Sequence, residues 1–174
     1  MAVTENQNAE AIAARYHQQK PSHPGQFHVH RQGPVEELSS KLVTDREFKK
    51  GDVIAKLEGL SPGPKRHSSV QVSKTEHVEL NSDLYFMNHS CDPSAHMDVD
   101  NKCVSALKDL KVGDEINFFY PSTEWDMAQP FTCWCGADKC IKTVTGANKL
   151  TAEQLNQFVL VNHIKELVAE RDQQ

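Results

Sequence analysis

Three of the chain's five cysteines fall in one short stretch, Cys133-Trp134-Cys135-Gly136-Ala137-Asp138-Lys139-Cys140. A Cys-x-Cys pair followed by an exposed Gly-Ala-Asp turn suits a metal knuckle. An odd number of thiols, with no secretory signal ahead of them, argues against a disulfide framework. A structural zinc takes four soft ligands in a tetrahedron at ~2.3 Å, and this cluster supplies three, so a fourth must come from elsewhere in the chain. Folding of the segment would then depend on the metal.

The rest of the chain has the size and composition of one soluble domain with modest extensions. Its 174 residues match a typical domain of ~100–200 residues, and 38% hydrophobic with 25% charged residues excludes both a membrane protein and a wholly disordered one. Nineteen basic against 24 acidic residues give −5, a balance with no general attraction for nucleic acid or an anionic membrane. No run approaches the ~20 apolar residues of a membrane span. Met1 to Lys20 lacks the apolar stretch of a secretory signal, and Glu5 and Glu10 do not belong in a mitochondrial presequence. A cytoplasmic or nuclear location is expected.

Residues 1–24, rich in Asn, Gln, Ala and His, read as a tail in which Ala9 to Gln19 can form a short helix. From Phe27 onward short apolar runs alternate with turn signals. Strands are expected at Asp52 to Leu57, Ser69 to Val72, His77 to Leu80, Leu84 to Met87, Ala95 to Val99, Cys103 to Leu107 and Glu115 to Tyr120. That pattern is mainly β. Leu150-Thr151-Ala152-Glu153-Gln154-Leu155 reads as a helix start, with Thr151 as N-cap, Gln154 reaching back and Leu150 stapling onto Leu155. The helix that follows carries apolar residues around more than one stripe, so it docks on the domain or on a second subunit; packing on the domain is the commoner outcome.

Asn88-His89-Ser90-Cys91, the run Gly113 to Tyr120 and the Cys133/Cys135/Cys140 cluster stand in an order and at distances that resemble the SET-domain lysine methyltransferases with a post-SET zinc segment. The resemblance runs from about His28 to Thr145. It implies a β-clip core of short strands with a pseudoknot over residues 25–130, a zinc-bound post-SET lid over 131–147 and an added helix over 148–174. It also implies S-adenosylmethionine as cofactor and an amine, typically a protein lysine, as acceptor.

Carried onto this sequence, the family pattern makes Cys91 the fourth zinc ligand beside Cys133, Cys135 and Cys140, with Cys103 left as a thiol in a strand. Asn88 would bond the amino acid end of the cofactor, and His89 would offer mainly its backbone to the adenine. Trp134 would lie over the adenine as a lid. Tyr120 would point its hydroxyl at the sulfonium and the incoming amine, as the catalytic residue. Tyr85, Phe118 and Phe119 are candidates for an aromatic sleeve around the amine, with Tyr85 also next to the cofactor. Strand alternation lets only one of Phe118 and Phe119 face the site.

The sequence departs from the family in two places. Where a Gly-x-Gly turn is usual, it has Ser39-Ser40-Lys41, unless the turn has been remodelled around Gly33-Pro34. Between Leu57 and Asn88 there is also no room for the helical insert that forms one wall of a peptide groove in histone-directed relatives. The chain thus resembles a compact single-domain branch found in microbes and fungi. Three readings follow: a methyltransferase of protein lysine, slightly preferred; a methyltransferase of free lysine or another small amine; and an inactive zinc-binding interaction module that uses its C-terminal helix to meet a partner. Glu124, Trp125 and Asp126, directly after Tyr120, are either placed to meet a cationic substrate or form a solvated loop. His28 and His30 share a strand face but lack a third metal ligand.

Overall fold

The computed structural model describes residues 20–31 and 40–173. The helix expected over Ala9 to Gln19 and the Gly33-Pro34 turn lie outside the described residues. In chain order the strands are β1 (Phe27–His30), β2 (Lys41–Thr44), β3 (Val53–Lys56), β4 (Ser61–Gly63), β5 (Ser69–Gln71), β6 (His77–Glu79), β7 (Asn88–His89), β8 (Ala95–Asp98), β9 (Cys103–Ala106), β10 (Glu115–Phe118), β11 (Phe131–Thr132) and β12 (Thr143–Val144). Two helices follow, α1 (Ala152–Leu155) and α2 (Asn162–Asp172). The fold is mainly β, as its alternating short apolar runs require.

The strands form small sheets in the orders β1-β2-β10-β7, β3-β9-β8, β4-β6-β5 and β11-β12. Strand β10 runs antiparallel to β2, with Ile116 opposite Leu42, and parallel to β7, with Asn117 opposite Asn88 and Phe118 opposite His89. Leu42 and Ile116 are fully buried, each removing enough apolar surface from water to contribute roughly 1.5–3 kcal/mol. That burial fixes the register that sets Asn88-His89 against the residues just before Tyr120.

Two expected elements take a different form. Leu84 to Met87 is not a strand: Asp83–Phe86 is a 3-10 turn. Ser22 and Asp83 exchange hydrogen bonds, Ser22 N–H to Asp83 Oδ2 at 2.8 Å and Asp83 N–H to Ser22 Oγ at 2.9 Å. Those bonds occupy backbone that a ladder would have used. Strand β10 stops at Phe118 instead of Tyr120, because Tyr120-Pro121-Ser122 turns as a 3-10 segment and proline has no N–H for a ladder.

The C-terminal helix starts as its capping box dictates: Thr151 Oγ1 accepts from Gln154 N–H and Gln154 Oε1 accepts from Thr151 N–H. It lasts one turn and resumes at Asn162. Leu155, Val161 and Ile164 are all essentially buried, yet on one straight helix Leu155 and Val161 would point roughly 120° apart. Breaking the helix lets both reach the core. The second segment docks on its own domain, with His163 Nε2 bonding Thr123 O at 2.9 Å and Arg171 Nη1 donating to Leu150 O at 2.8 Å.

Candidate active site

The sulfurs of Cys91, Cys133, Cys135 and Cys140 lie within 4.8 Å of one another. A tetrahedron with ~2.3 Å metal–sulfur bonds has edges of about 3.8 Å, and Cys91 Sγ is 3.9 Å from Cys133 Sγ. The donor set therefore fits zinc in number, softness and spacing. Cys103 stays apart in β9. Backbone amides turn toward the cluster, Ile141 N–H to Cys91 Sγ and Lys142 N–H to Cys140 Sγ, each at 3.4 Å, which favours the thiolate form. Burial alone opposes ionisation, pushing the Cys91 thiol well up and Cys133 to about 11. Cys135 is also raised by burial, but the Ala137 amide and neighbouring thiol donors outweigh this and bring it to about 7.

His89 connects this cluster to Tyr120. Its Nδ1 accepts the Tyr120 backbone N–H at 3.1 Å, and its Nε2 lies 3.3 Å from Cys91 Sγ. An Nδ1 that accepts requires the proton on Nε2, so the ring donates toward the sulfur. Burial lowers the His89 pKa to about 4, which keeps the ring in this neutral state. The rings of Tyr120 and Phe131 stand edge-on to it, with centroids at 5.3 and 5.9 Å.

The Tyr120 hydroxyl donates to Met87 O at 2.9 Å. Burial first, then the charges of Tyr85, Glu124 and Glu115, raise its pKa well above the usual phenol value. It is a protonated group whose one hydrogen is already engaged, leaving its oxygen lone pairs as acceptors. Tyr85, Phe118, Tyr120, Met87, Met127 and Glu124 line a cavity of about 50 Å³. Phe119 points elsewhere, stacking on Phe158 with centroids 3.6 Å apart beside a wider cleft of about 670 Å³. The two phenylalanines take opposite sides, as alternation demands.

Asn88 donates its side-chain amide to Ser40 O at 3.0 Å and lies 3.3 Å from Glu115 Oε1, so the backbone at the usual glycine turn meets Asn88. Trp134 is 89% exposed beside the thiol cluster; a ring of that size in water is a surface that a planar base would cover, and in that respect the residues fit the expected cofactor. Two contributors escaped sequence reasoning: the side chain of His89 carries the Tyr120 backbone, and Phe131 packs against both rings. Glu124, for which the sequence left a substrate-facing and a solvated-loop reading open, is a buried carboxylate on the cavity wall.

Residues 39–121 match the SET domain family model, so the three C-terminal cysteines lie beyond the matched region. Over 153 residues, 86% of this chain and 85% of the relative, the chain is 38% identical to the methyltransferase flvH of Aspergillus flavus. Over 92 residues, 47% of this chain and 12% of the relative, it is 33% identical to a histone-lysine N-methyltransferase, H3 lysine-36 specific, of Debaryomyces hansenii. Among solved structures it is similar to KRYPTONITE in complex with mCHG DNA and SAH, with a TM-score of 0.51 at 16% identity, over 72% of this chain and 30% of that one. The last is a likeness of fold alone.

Proposed function

This chain belongs to the SET-domain methyltransferase family, and on that premise we propose that it methylates a lysine-type amine using S-adenosylmethionine, with a structural zinc held by Cys91, Cys133, Cys135 and Cys140. The cofactor, when bound, supplies an electrophilic methyl group on a sulfonium. Asn88, His89 and Trp134 would hold it, with Tyr85 alongside, and Tyr120 would face the acceptor. Residues 25–130 would form the catalytic unit, 131–147 the zinc lid and 148–174 the helix that braces it.

Methyl transfer needs a neutral amine. Deprotonating a free lysine amine of pKa ~10.4 at pH 7 costs about 4.6 kcal/mol, and enclosure by Phe118, Tyr85 and Tyr120 lowers that cost by disfavouring the ammonium form. The amine would release its proton to water, leaving its lone pair free to accept the methyl group that a cofactor held by Asn88, His89 and Trp134 would supply. Because the Tyr120 hydroxyl hydrogen is held by Met87 O, its oxygen can accept an N–H of the amine and align the lone pair. The observation that carries the reading is the tie from Cys91 through the His89 ring to the Tyr120 backbone, which joins the thiol cluster to the residue proposed for catalysis.

A protein lysine is slightly preferred as acceptor. One observation favours a free lysine or another small amine: between Leu57 and Asn88 the chain forms only the small β4-β6-β5 sheet and one 3-10 turn, which gives an extended peptide little surface to bury. Calorimetric titration of zinc-loaded protein with S-adenosylmethionine is the first test, with a micromolar Kd expected, about 8 kcal/mol. Absence of binding at millimolar cofactor would overturn the enzyme reading in favour of an interaction module. A labelled-methyl assay offering histones, mixed cell protein and free amino acids side by side then separates the acceptors: label in the small-molecule fraction alone retires the protein lysine.

A further inference from the structure

Among the described residues, Glu124 is the one carboxylate on the cavity lined by Tyr85, Phe118 and Tyr120, and it is 8% exposed. Only one of its oxygens is employed by the fold. Oε1 accepts the Gln71 backbone N–H at 2.7 Å and lies 3.4 Å from Thr123 Oγ1. Oε2 makes no hydrogen bond to a described residue; His77 Nε2, at 3.6 Å, is too far and is itself a buried nitrogen without a partner. A buried charge ordinarily finds a counter-charge. Arg66, on the same wall, is ion-paired with a different carboxylate, its Nε 2.9 Å from Glu79 Oε1. The cavity is left with one carboxylate among aromatic faces and the thioethers of Met87 and Met127, its Oε2 approached by a basic side chain only at the 3.6 Å of His77.

We infer that Glu124 is the residue that selects a cationic acceptor: an alkylammonium tip enters this cavity and pairs with Oε2 while the aromatic rings enclose it. The inference rests on the cavity being the amine channel of the proposed enzyme. At about 50 Å³ it has room for roughly three or four water-sized groups, enough for an amine head and its last carbons but not for a whole amino acid. The acceptor is therefore an unbranched alkylamine presented end-on. Aromatic faces and a carboxylate together recognise both the ammonium substrate and its methylated product. Pairing with Glu124 favours the charged form of the amine and so offsets part of the help that enclosure by the rings gives to deprotonation; removing the charge should therefore weaken capture of substrate without slowing the transfer step.

The test uses the zinc-loaded protein with 13C-methyl-labelled methionine, so that Met87 and Met127 report from the cavity wall, titrated with n-butylammonium chloride and, separately, n-butanol. The expected result is a saturable shift of both methyl signals with at least tenfold preference for the cation, and loss of that preference in Glu124→Gln, whose amide oxygen can still accept from Gln71. Equal affinity for the two ligands in the unmodified protein, no saturable shift with n-butylammonium, or an unchanged preference in a folded Glu124→Gln protein would each overturn the inference. The unmodified protein supplies the comparison if the variant does not fold. Cation preference without methyl transfer to any amine would count against the proposed enzyme and leave the carboxylate site standing. Turnover of an amine with unchanged KM in Glu124→Gln would count against Glu124 alone.

Discussion

Tyr120 donates its backbone N–H to Nδ1 of His89 at 3.1 Å, and the opposite nitrogen of the same ring lies 3.3 Å from Cys91 Sγ. One imidazole thus spans the distance between a thiol cluster and the turn that presents a tyrosine. The ring can do this in one tautomer only, with its proton on Nε2. Cys91 and the Tyr120 backbone are thereby joined through a single planar ring.

Purified protein is expected to carry one zinc per chain by elemental analysis. Cys91→Ser should lose it, whereas Cys103→Ser should keep it, because Cys103 lies in β9 outside the cluster. Full zinc retention by Cys91→Ser would sink the assignment. Burial holds Cys91 and Cys133 protonated at neutral pH, and zinc binds thiolates, so adding the metal back to stripped protein should release protons, visible as acidification of a weakly buffered solution.

Tyr120→Phe removes the hydroxyl that donates to Met87 O. Cofactor affinity measured by calorimetry should be nearly unchanged, while kcat falls by roughly a hundredfold or more, the scale of a lost positioning and polarising group in a transition state. A variant that binds normally and turns over at the original rate would remove Tyr120 from the mechanism.

Gly146 has φ +110°, and a Cβ there would sit 2.5 Å from Trp125 O and 2.7 Å from Asp126 Cα. The segments on either side are laced together by Met127 N–H to Thr145 O and Ala147 N–H to Glu124 O. Neither backbone can retreat without breaking these bonds. Gly146→Ala should therefore cost about 3 kcal/mol or more in urea denaturation, with the loop after Tyr120 disturbed first.

His67 and His96 both have pKa values below 6.5, first because burial disfavours their charged forms; the opposing pulls are from Glu79 on His67 and from Asp98 and Asp100 on His96, while Arg66 and Lys165 respectively add to the lowering. The unfolded chain binds these protons more readily than the native one. Their contribution to stability is thus complete above pH 6.5 and is lost as the pH falls through the native values. Denaturation midpoints in urea should fall between pH 7 and pH 5, and the loss should shrink in a His67→Gln/His96→Gln double variant.

What the sequence by itself determined lies within a few residues of its own signals. The capping box at Thr151 and Gln154, the turn at Lys111 to Asp114 and the alternating strands from Ala95 to Ile116 are encoded by neighbours, and they form where local chemistry puts them. The spacing of Cys133, Cys135 and Cys140 pointed to a cluster that could hold a metal, and Asn88 to Cys91 with Tyr120 pointed to the family. Tertiary packing decided the rest. Leu84 to Met87, apolar throughout, had no period to distinguish strand from turn until Ser22 bonded Asp83. The apolar C-terminal stretch read as one helix, but burying both Leu155 and Val161 required a break. For Glu124 the sequence left a substrate-facing and a solvated-loop reading open; Gln71, 53 positions away, meets it in the interior, and the role of the His89 ring depends on residues 31 positions distant. Local propensities fix dihedral angles over a turn or a strand. Which buried polar atom meets which partner depends on the sheet register and the packing of the whole core, and those exist only when the chain has folded.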